Sequence, residues 1–487
     1  MTIQHLKDVR RRNGGHGWIG SETVESRLGR FKFRNGYPSP QAASDLRDAL
    51  FLGRAIDVYL AQMPAVSWFR VWKGVAEIDG ATPNQMMIWE GQMDAQTVLL
   101  TGNCETVYGL ASLDLKRDGP VVVELPPLML GGFVDVWQRS IADIGPTGLD
   151  QGKGGKVLVL PPNYSEAPPG GYLAIRSRTY RVSLAVRGFL VEGKTDRAVA
   201  SMKFTRIYPL CGARNPPPMN FLNGSHQDID TVFGDNYLFF EDLAALIASE
   251  PEDAISAPER FALASIGIEK FKPFKPNAEW RALLADAARV GSAMARVNTF
   301  ASIDPERLVY SDRKWEWMFI GGNPEFASQG YVNTDRRAAF AYVAIGMSPA
   351  MVIKNVGGGS QYLWTPRDAD GDFLDGANRY RLHIPADVPI RNFWSVVVYD
   401  SESRSMLRTG QPFPSRSSYT DPDVNPDRSI DLYFGPDAPP THARNWIETV
   451  PGKGWFALFR FYGPLEPFFD KSWRPGDIER ISGGDSR

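Results

Sequence analysis

A cluster of polar residues at positions 103–108 carries side chains that could do acid–base chemistry. Glu105 could act as a general base, and Tyr108 could act as an acid or as a donor to an oxyanion. The structural alternative is a turn, since Asn and Thr side chains stabilise bends by bonding to nearby backbone amides. With both interpretations open, Glu105 and Tyr108 are candidate catalytic residues and Asn103 is a candidate substrate-binding residue.

A second carboxylate, Asp135, lies in an apolar, aromatic segment two residues before Trp137. If Asp135 is buried, its charge must be paired, and Arg187 is an available partner. A buried structural pair and a catalytic carboxylate both fit this pattern. Asp135 is therefore a candidate catalytic residue, and Trp137 and Arg187 are candidate substrate-binding residues.

Arg460 shares one face of a predicted strand with apolar residues and Tyr462. A guanidinium in that position could hold a carboxylate or sulfate through two parallel hydrogen bonds. It could equally neutralise Asp431 or Glu466. We take Arg460 as a candidate catalytic residue and Tyr462 as a candidate substrate-binding residue.

Three tryptophans of the C-terminal part could stack on a sugar or an aromatic ring: Trp394, Trp446 and Trp473. Tryptophan is also common in β-sheet cores, and we expect two of the three to be core residues. Trp394, Trp446 and the neighbouring Asn445 are candidate substrate-binding residues.

Several familiar catalytic and metal-binding motifs are absent from the sequence. No serine has the Gly-x-Ser-x-Gly context of a nucleophile elbow, and no two of the five histidines lie within four residues of each other. The predicted site therefore contains no metal and no organic cofactor. The acidic loop 368–375 resembles a calcium loop, but Phe373 stands at the glycine position and Arg379 at the closing glutamate. Weak calcium binding and an acidic hairpin both stay open there.

Two glycine-rich stretches are interpreted as turns. The stretch 152–156 lacks the Ser or Thr that must follow the lysine of a phosphate loop, because Val157 occupies that position. The triplet 357–359 precedes a predicted strand, whereas a dinucleotide fingerprint precedes a helix.

The composition limits the possible partners. Among 487 residues the formal net charge is −2, so no positive field would gather nucleic acid or anionic lipid. No stretch approaches the ~20 apolar residues of a membrane span, and no apolar run follows Arg10-Arg11-Arg12 as in a secretory signal. We expect a cytoplasmic protein with a small-molecule ligand, possible homo-oligomerisation, and two buried free thiols at Cys104 and Cys211.

Hydrophobic periodicity and turn residues predict a multi-domain α+β fold with strong aromatic content in two β regions. The helix that begins at Pro40 is predicted to end near Gln62, before Pro64. The predicted units are an N-terminal arm and helix packing on the helical domain over 1–75, a β-sandwich over 76–214, a helical domain over 215–310, and a second β domain over 311–487.

Two groups of segments resemble two families of proteins of unknown function. Segments similar to the DUF1254 family are Asn103–Tyr108, Leu113–Leu115, Pro120–Val122, Asp135–Gln138, the turn 152–156 with Pro161-Pro162, Ser177–Tyr180 and Arg187. Segments similar to the DUF1214 family are Asp370–Gly376, Phe393–Ser395, Asn445–Ile447, Arg460–Pro464 and Trp473.

This resemblance spans about residues 40 to 480 and implies an immunoglobulin-like β-sandwich, a helical domain and a C-terminal jelly-roll β-sandwich. It carries over no catalytic residue, because neither family has an established function. Glu105 stands where the DUF1254 pattern usually has Asp, which keeps the charge and lengthens the side chain. Glu448 stands where the DUF1214 pattern commonly has proline.

The leading functional prediction is a cofactor-independent enzyme of hydrolase or lyase type. It would act by acid–base chemistry on a small organic molecule in a cleft between the two β domains. One alternative is a non-catalytic binding protein for glycans or other ring-bearing ligands. A third is a structural or assembly protein.

Overall fold

The computed structural model describes residues 21–76 and 84–481, so the predicted basic start at Arg10-Arg11-Arg12 lies outside it. It confirms the predicted multi-domain α+β class, with two β-sandwiches and a helical part. Strands and helices are numbered here along the chain. The helices are α1 (Pro40–Ala76), α2 (Leu115–Asp118), α3 (Asp196–Met202), α4 (Leu238–Ser249), α5 (Ala257–Ala264), α6 (Ala278–Phe300), α7 (Thr334–Val343) and α8 (Glu466–Phe469).

Residues 21–38, predicted as an arm, form a three-stranded antiparallel sheet instead. Its strands are β1 (Ser21–Ser26), β2 (Gly29–Arg34) and β3 (Tyr37–Pro38). Phe31 is buried and anchors the sheet through apolar packing. The polar residues around it in the sequence did not indicate this burial.

The N-terminal sandwich encloses one apolar core between a six-stranded and a four-stranded sheet. In spatial order the larger sheet is β14 (Asn220–Asn223), β4 (Gln85–Ile88), β6 (Thr106–Asp114), β12 (Arg181–Phe189), β8 (Leu130–Asp135) and β9 (Ser140–Ile144). The smaller sheet is β11 (Leu173–Arg176), β10 (Gly155–Leu160), β7 (Val121–Leu125) and β13 (Arg206–Pro209). Strand β14 lies beyond residue 214, the predicted boundary, and pairs in parallel with β4.

The C-terminal sandwich has the same two-layer construction around a second core. Its five-stranded sheet is β16 (Glu316–Trp317), β19 (Ser360–Thr365), β25 (Trp455–Pro464), β21 (Ile390–Asp400) and β22 (Ser415–Ser417). Its four-stranded sheet is β24 (Trp446–Glu448), β23 (Ile430–Gly435), β20 (Tyr380–Ile384) and β26 (Ile478–Arg480). Short pairs complete the fold: β5 (Thr97–Val98) with β15 (Ile229–Asp230), and β17 (Ala327–Ser328) with β18 (Tyr331–Val332).

The prediction that the first long helix ends before Pro64 is wrong, because α1 continues through the proline to Ala76. Proline removes one helical hydrogen bond, but the residues after it are apolar and buried, among them Val66, Phe69 and Val71. The carbonyl of Pro64 also accepts a hydrogen bond from Gln138 Nε2 at 2.8 Å. Packing of the second half of α1 therefore outweighs the local cost of the proline.

The helical domain predicted over 215–310 contains α4, α5 and α6, and Asn277 caps α6 by accepting from the amide of Trp280. Helices α1, α4, α5, α6 and α7 share a core with the outer faces of the six-stranded and five-stranded sheets. Each of these sheets is therefore covered on both faces. In β25 all ten residues are buried, as expected of a strand that is apolar on both sides.

Candidate functional site

A cavity of about 370 Å³ lies on the outer face of the six-stranded sheet, facing the C-terminal half of α1. The loops 99–103 and 345–351 and the glycine triplet 357–359 close its sides. Most of its lining is apolar, including Trp68, Trp89, Leu110, Val134 and Met347. Its size falls within the range of about 300–1,000 Å³ that is usual for small-molecule sites.

Tyr108 and Arg187 form the polar part of the cavity wall. They are cross-strand neighbours in the register of β6 and β12, so their side chains leave the sheet on the same face. Both line the cavity and both are half-buried. The alternation of β12 places Val182, Leu184 and Val186 in the sandwich core, which leaves Arg187 on the opposite, cavity-facing side.

Asn103 links this pair to the C-terminal sandwich. Its Nδ2 donates to the hydroxyl of Tyr462 at 2.7 Å and lies 3.4 Å from the hydroxyl of Tyr108. Tyr462 is fully buried, stacks on Phe393 at 4.0 Å between ring centroids, and lies under the guanidinium of Arg187 at 5.2 Å. Asn103, which also lines the cavity, and Tyr462, which does not, therefore position Tyr108.

Arg460 holds the loop that carries Asn103. Its Nη2 donates to the carbonyls of Thr101 at 2.9 Å and Gly102 at 3.5 Å, and its guanidinium lies 5.6 Å from the ring of Tyr399. Thr101 has a φ of 43°, which is unusual for a β-branched residue. The loop therefore depends on bonds from outside it, and Arg460 supplies them together with the hydroxyl of Tyr399, which donates to the carbonyl of Gly102 at 2.6 Å. The predicted partners Asp431 and Glu466 do not pair with Arg460.

Sequence reasoning missed two residues behind Arg187. Ser360 Oγ accepts from Arg187 Nη2 at 3.3 Å and lies 2.7 Å from the hydroxyl of Tyr362. Both residues share a face of β19 and stand opposite Tyr462 and Arg460 in β25. The period-two spacing of a serine and a tyrosine after the glycine triplet was a signal that could have found them.

The surroundings shift the tyrosine pKa values in opposite directions. Burial by itself would raise the pKa of Tyr108, but the charge of Arg187, the hydrogen bond from Asn103 and the charge of Arg460 outweigh it and lower that pKa. Burial, together with the neighbouring hydroxyls of Tyr108 and Tyr362, raises the pKa of Tyr462 well above its ordinary value. Of these two hydroxyls, Tyr108 is the one that ionises more readily and that faces the cavity.

The structure places Glu105 away from this wall. Its two carboxylate oxygens accept from the hydroxyls of Ser415 and Ser417, each at 2.6 Å, and it borders a separate depression next to Arg416. Burial raises the pKa of Glu105, although both serine hydroxyls act to lower it. Glu105 thus joins the N-terminal sandwich to β22 of the C-terminal sandwich.

We expect Glu105→Ala to lower the free energy of unfolding by about 2 kcal/mol, since two buried hydroxyls lose their acceptor and a void remains. Glu105→Gln should cost less, because its amide oxygen still accepts from one serine. Chemical denaturation followed by circular dichroism measures both variants. Glu402→Ala, whose side chain is 78% exposed, is the control and should leave stability nearly unchanged. Equal stability of wild type and Glu105→Ala would contradict the linking role.

Asp135 and Trp137 also lie outside the cavity wall. The expected Asp135–Arg187 pair does not form, because Asp135 Oδ2 accepts from Arg139 Nε at 2.6 Å and its Oδ1 accepts from the amides of Trp137 and Arg139. Trp137 Nε1 in turn donates to Gln62 of α1 at 2.9 Å. Burial raises the pKa of Asp135 against the opposing charge of Arg139.

The C-terminal candidates occupy the second sandwich. Trp394 and Trp473 are buried, as expected for two of the three tryptophans, and Trp446 donates to the carbonyl of Gly435 at 2.9 Å. Asn445 is buried and donates to the carbonyls of Asp423 and Asp431. The structure therefore does not bring Trp394, Asn445 or Trp446 to the cavity wall that holds Tyr108 and Arg187.

The acidic loop and the cysteines have simple local structures. Asp368 is buried, and its Oδ1 accepts from the amides of Asp370, Gly371 and Asp372, which shapes the loop as a turn. Within residues 21–76 and 84–481, no group of three or more His, Cys, Asp or Glu side chains could hold a metal ion. Both cysteines are free thiols; Cys104 is buried, but the expectation of a buried Cys211 is wrong because it is exposed.

Comparison with known proteins finds two family models that each match a part of this chain. Residues 83–209 match the family model DUF1254, and residues 359–466 match the family model DUF1214. Both families are described as proteins of unknown function. No curated protein matches the chain, and no helix in the described part of the chain is long and apolar enough to span a membrane.

Two crystal structures are similar to the chain. The VPA0106 protein from Vibrio parahaemolyticus aligns with a TM-score of 0.56 at 17% identity, over 89% of this chain and all of its own. A putative uncharacterized protein from Burkholderia cenocepacia aligns with a TM-score of 0.41 at 12% identity, over 91% and 90%. The first similarity shows a shared fold. The chain therefore contains a region similar to DUF1254 followed by a region similar to DUF1214.

Proposed function

We propose that the protein is an enzyme of hydrolase or lyase type that performs acid–base chemistry on a small organic molecule in the cavity between the sandwiches. The observation that carries this proposal is the position of Tyr108. Its hydroxyl belongs to the polar wall of an otherwise apolar cavity, within 3.4 Å of Asn103 Nδ2 and beside Arg187. A positioned side chain of this kind can transfer a proton to or from a bound molecule.

The roles follow from the contacts. Ionised Tyr108 would take a proton from the substrate and later return it, while Asn103 and Arg187 stabilise the phenolate. The lowered pKa of Tyr108 and the raised pKa of Tyr462 support this assignment, because neighbouring groups with opposite shifts are typical of acid–base sites. Glu105, the base suggested by the sequence, has no part in it because both its oxygens are held by serines.

A non-catalytic binding protein for ring-bearing ligands is the second candidate. The observation that favours it is the amount of flat and aliphatic surface in the cavity, to which Trp68 and Trp89 contribute. In this case the polar wall would orient a ligand without reacting with it. A variant that loses turnover while its affinity for the ligand stays unchanged separates the two candidates, because a binding protein has no turnover to lose.

We expect Tyr108→Phe to lower turnover about 100-fold, because the proton-transferring hydroxyl is lost while the ring keeps its packing. The measurement is a screen of esters, lactones and hydroxy acids on wild type, followed by kcat and KM on each active compound. Tyr331→Phe is the matched control, since Tyr331 is 57% exposed and lies outside the cavity.

Turnover that survives in Tyr108→Phe, or compounds that bind the cavity of the wild type and never react, would overturn the enzyme proposal. The second outcome would support the binding protein. A cytoplasmic location and homo-oligomerisation stay predictions from the sequence.

A further inference from the structure

Arg187 has a guanidinium that the protein satisfies incompletely. Its hydrogen bond to Ser360 Oγ is 3.3 Å long, and its buried Nε has no partner in the described part of the chain. No carboxylate among the described residues comes within 4 Å of its nitrogens, in contrast to Arg139 and Arg181, which pair with Asp135 and Glu250. A guanidinium that lacks hydrogen-bond partners and a counter-charge is costly to bury unless another group supplies them.

One carboxylate, that of Asp143 on β9, interacts with the charge of Arg187 without forming an ion pair with it. Its Oδ2 accepts from the amide of Ala350 at 3.1 Å, and its buried Oδ1 has no partner among the described residues. On the other sides Arg187 is surrounded by the hydroxyls of Tyr108, Tyr362 and Tyr462. Arg187 therefore presents to the cavity that it lines a guanidinium that forms no ion pair with a carboxylate of the described residues.

The rest of the cavity has the opposite character. Apart from the polar wall, its surface comes largely from aliphatic and aromatic side chains of α1, β6, β8 and the loop 345–351. Arg391 also lines the cavity and is exposed, so a second cation stands where the cavity reaches solvent. A ligand that matches both features has one anionic end and an apolar body.

We propose that the substrate class is an organic carboxylate whose head group binds Arg187 and whose apolar chain or ring fills the cavity. This inference rests on the proposed function of the same site. The planar guanidinium suits a carboxylate, which it can bind through two parallel hydrogen bonds. In that pose the carbon atoms next to the carboxylate lie beside Tyr108, the cross-strand neighbour of Arg187.

The test compares matched acid and alcohol pairs by calorimetric titration: decanoate with decanol, and naphthylacetate with naphthylethanol. We expect at least one acid to bind wild type about tenfold more tightly than its alcohol, since the charge-assisted hydrogen bonds form with the acid alone. The two pairs also show whether the cavity prefers a chain or a ring. Arg187→Met should bind the acid and the alcohol equally.

Arg428→Met, which changes an arginine with 72% side-chain exposure, is the control and should keep the preference. Arg187→Lys covers the case in which Arg187→Met does not fold, because it retains the charge and loses the planar fork; its preference should fall below that of wild type. Equal binding of acids and alcohols by wild type, or an unchanged preference in either Arg187 variant, would overturn the carboxylate class.

Tyr108→Phe separates this inference from the enzyme proposal. It should bind the preferred acid within a few-fold of wild type, because Arg187 is retained. If the acid binds through Arg187 and no turnover depends on Tyr108, the enzyme proposal fails and the ligand class stands. If Tyr108-dependent turnover is found on neutral compounds alone, the ligand class fails and the enzyme proposal stands.

Discussion

Arg460→Ala is expected to lower the free energy of unfolding by about 4 kcal/mol, although Arg460 forms no ion pair with any described residue. The side chain is 3% exposed, so its truncation leaves a void between β25 and the loop 99–103. The carbonyl of Thr101 also loses its donor, and a buried acceptor without a partner costs roughly 1–3 kcal/mol. Fewer hydrogen bonds then hold Thr101 at its strained φ.

Arg460→Lys should recover part of this loss, because an ammonium can still reach a carbonyl but cannot cover the ring of Tyr399 as a planar guanidinium does. Arg474→Ala is the matched control, since Arg474 also lies over a tyrosine ring but its side chain is 47% exposed. Urea denaturation measures all three variants. A loss below about 1 kcal/mol in Arg460→Ala would show that the loop holds its shape without Arg460.

Arg460, which is buried, and Arg187, which is half-buried, show how two arginines in one cluster can have different roles. Arg460 donates to backbone carbonyls and is closed off from the cavity, so its bonds stabilise the loop that carries Asn103. Each guanidinium has one buried nitrogen without a partner among the described residues, Nη1 in Arg460 and Nε in Arg187, but of the two it is Arg187 that lines the cavity. The bonds of Arg460 stabilise the folded chain, whereas the guanidinium of Arg187 keeps hydrogen-bonding groups that a ligand in the cavity can use.

Much of the fold could be predicted from the sequence because its signals are local. The strand predicted to carry Arg460 and Tyr462 depends on the pattern of a few neighbouring residues, and it appears as β25. The helix end before Pro64 could not be predicted, because the continuation of α1 depends on burial against distant elements. The sheet at residues 21–38 was missed since Phe31 is nearly its only buried side chain.

The candidate site could be predicted only in part, because its contacts join distant segments. Asn103 and Tyr462 are 359 positions apart, and no spacing rule connects an amide to a hydroxyl over that distance. Asp135 shows the opposite error, since its partner Arg139 is four residues away while a distant arginine was considered. Residue types near turns identified Tyr108 and Arg187 as candidates, but the register of β6 and β12 decides that they face one cavity.

The free energy of unfolding is expected to fall by about 3 kcal/mol through the titration of one residue, Glu316, as the pH rises from acid to alkaline. Burial raises the pKa of Glu316 from 4.5 to about 7, with the opposing charge and hydrogen bond of Arg307 included. The folded chain therefore holds the proton more tightly than the unfolded chain does. The resulting stabilisation is complete below pH 4.5 and is lost as the pH rises through about 7.

Glu316→Gln isolates this effect from the other titrating groups, because they change equally in both proteins. The amide cannot ionise, so the variant should match wild type at roughly pH 4 and exceed its stability by up to about 3 kcal/mol at roughly pH 8.5. Urea denaturation at a series of pH values gives the difference directly. Glu306→Gln is the control, since Glu306 also contacts an arginine, at 3.2 Å from Arg336, but its side chain is 61% exposed. If the two proteins differed in free energy of unfolding by the same amount across this range, the opposite conclusion would follow. The buried carboxylate of Glu316 would then be ionised even in acid, with Arg307 and not a proton as its partner.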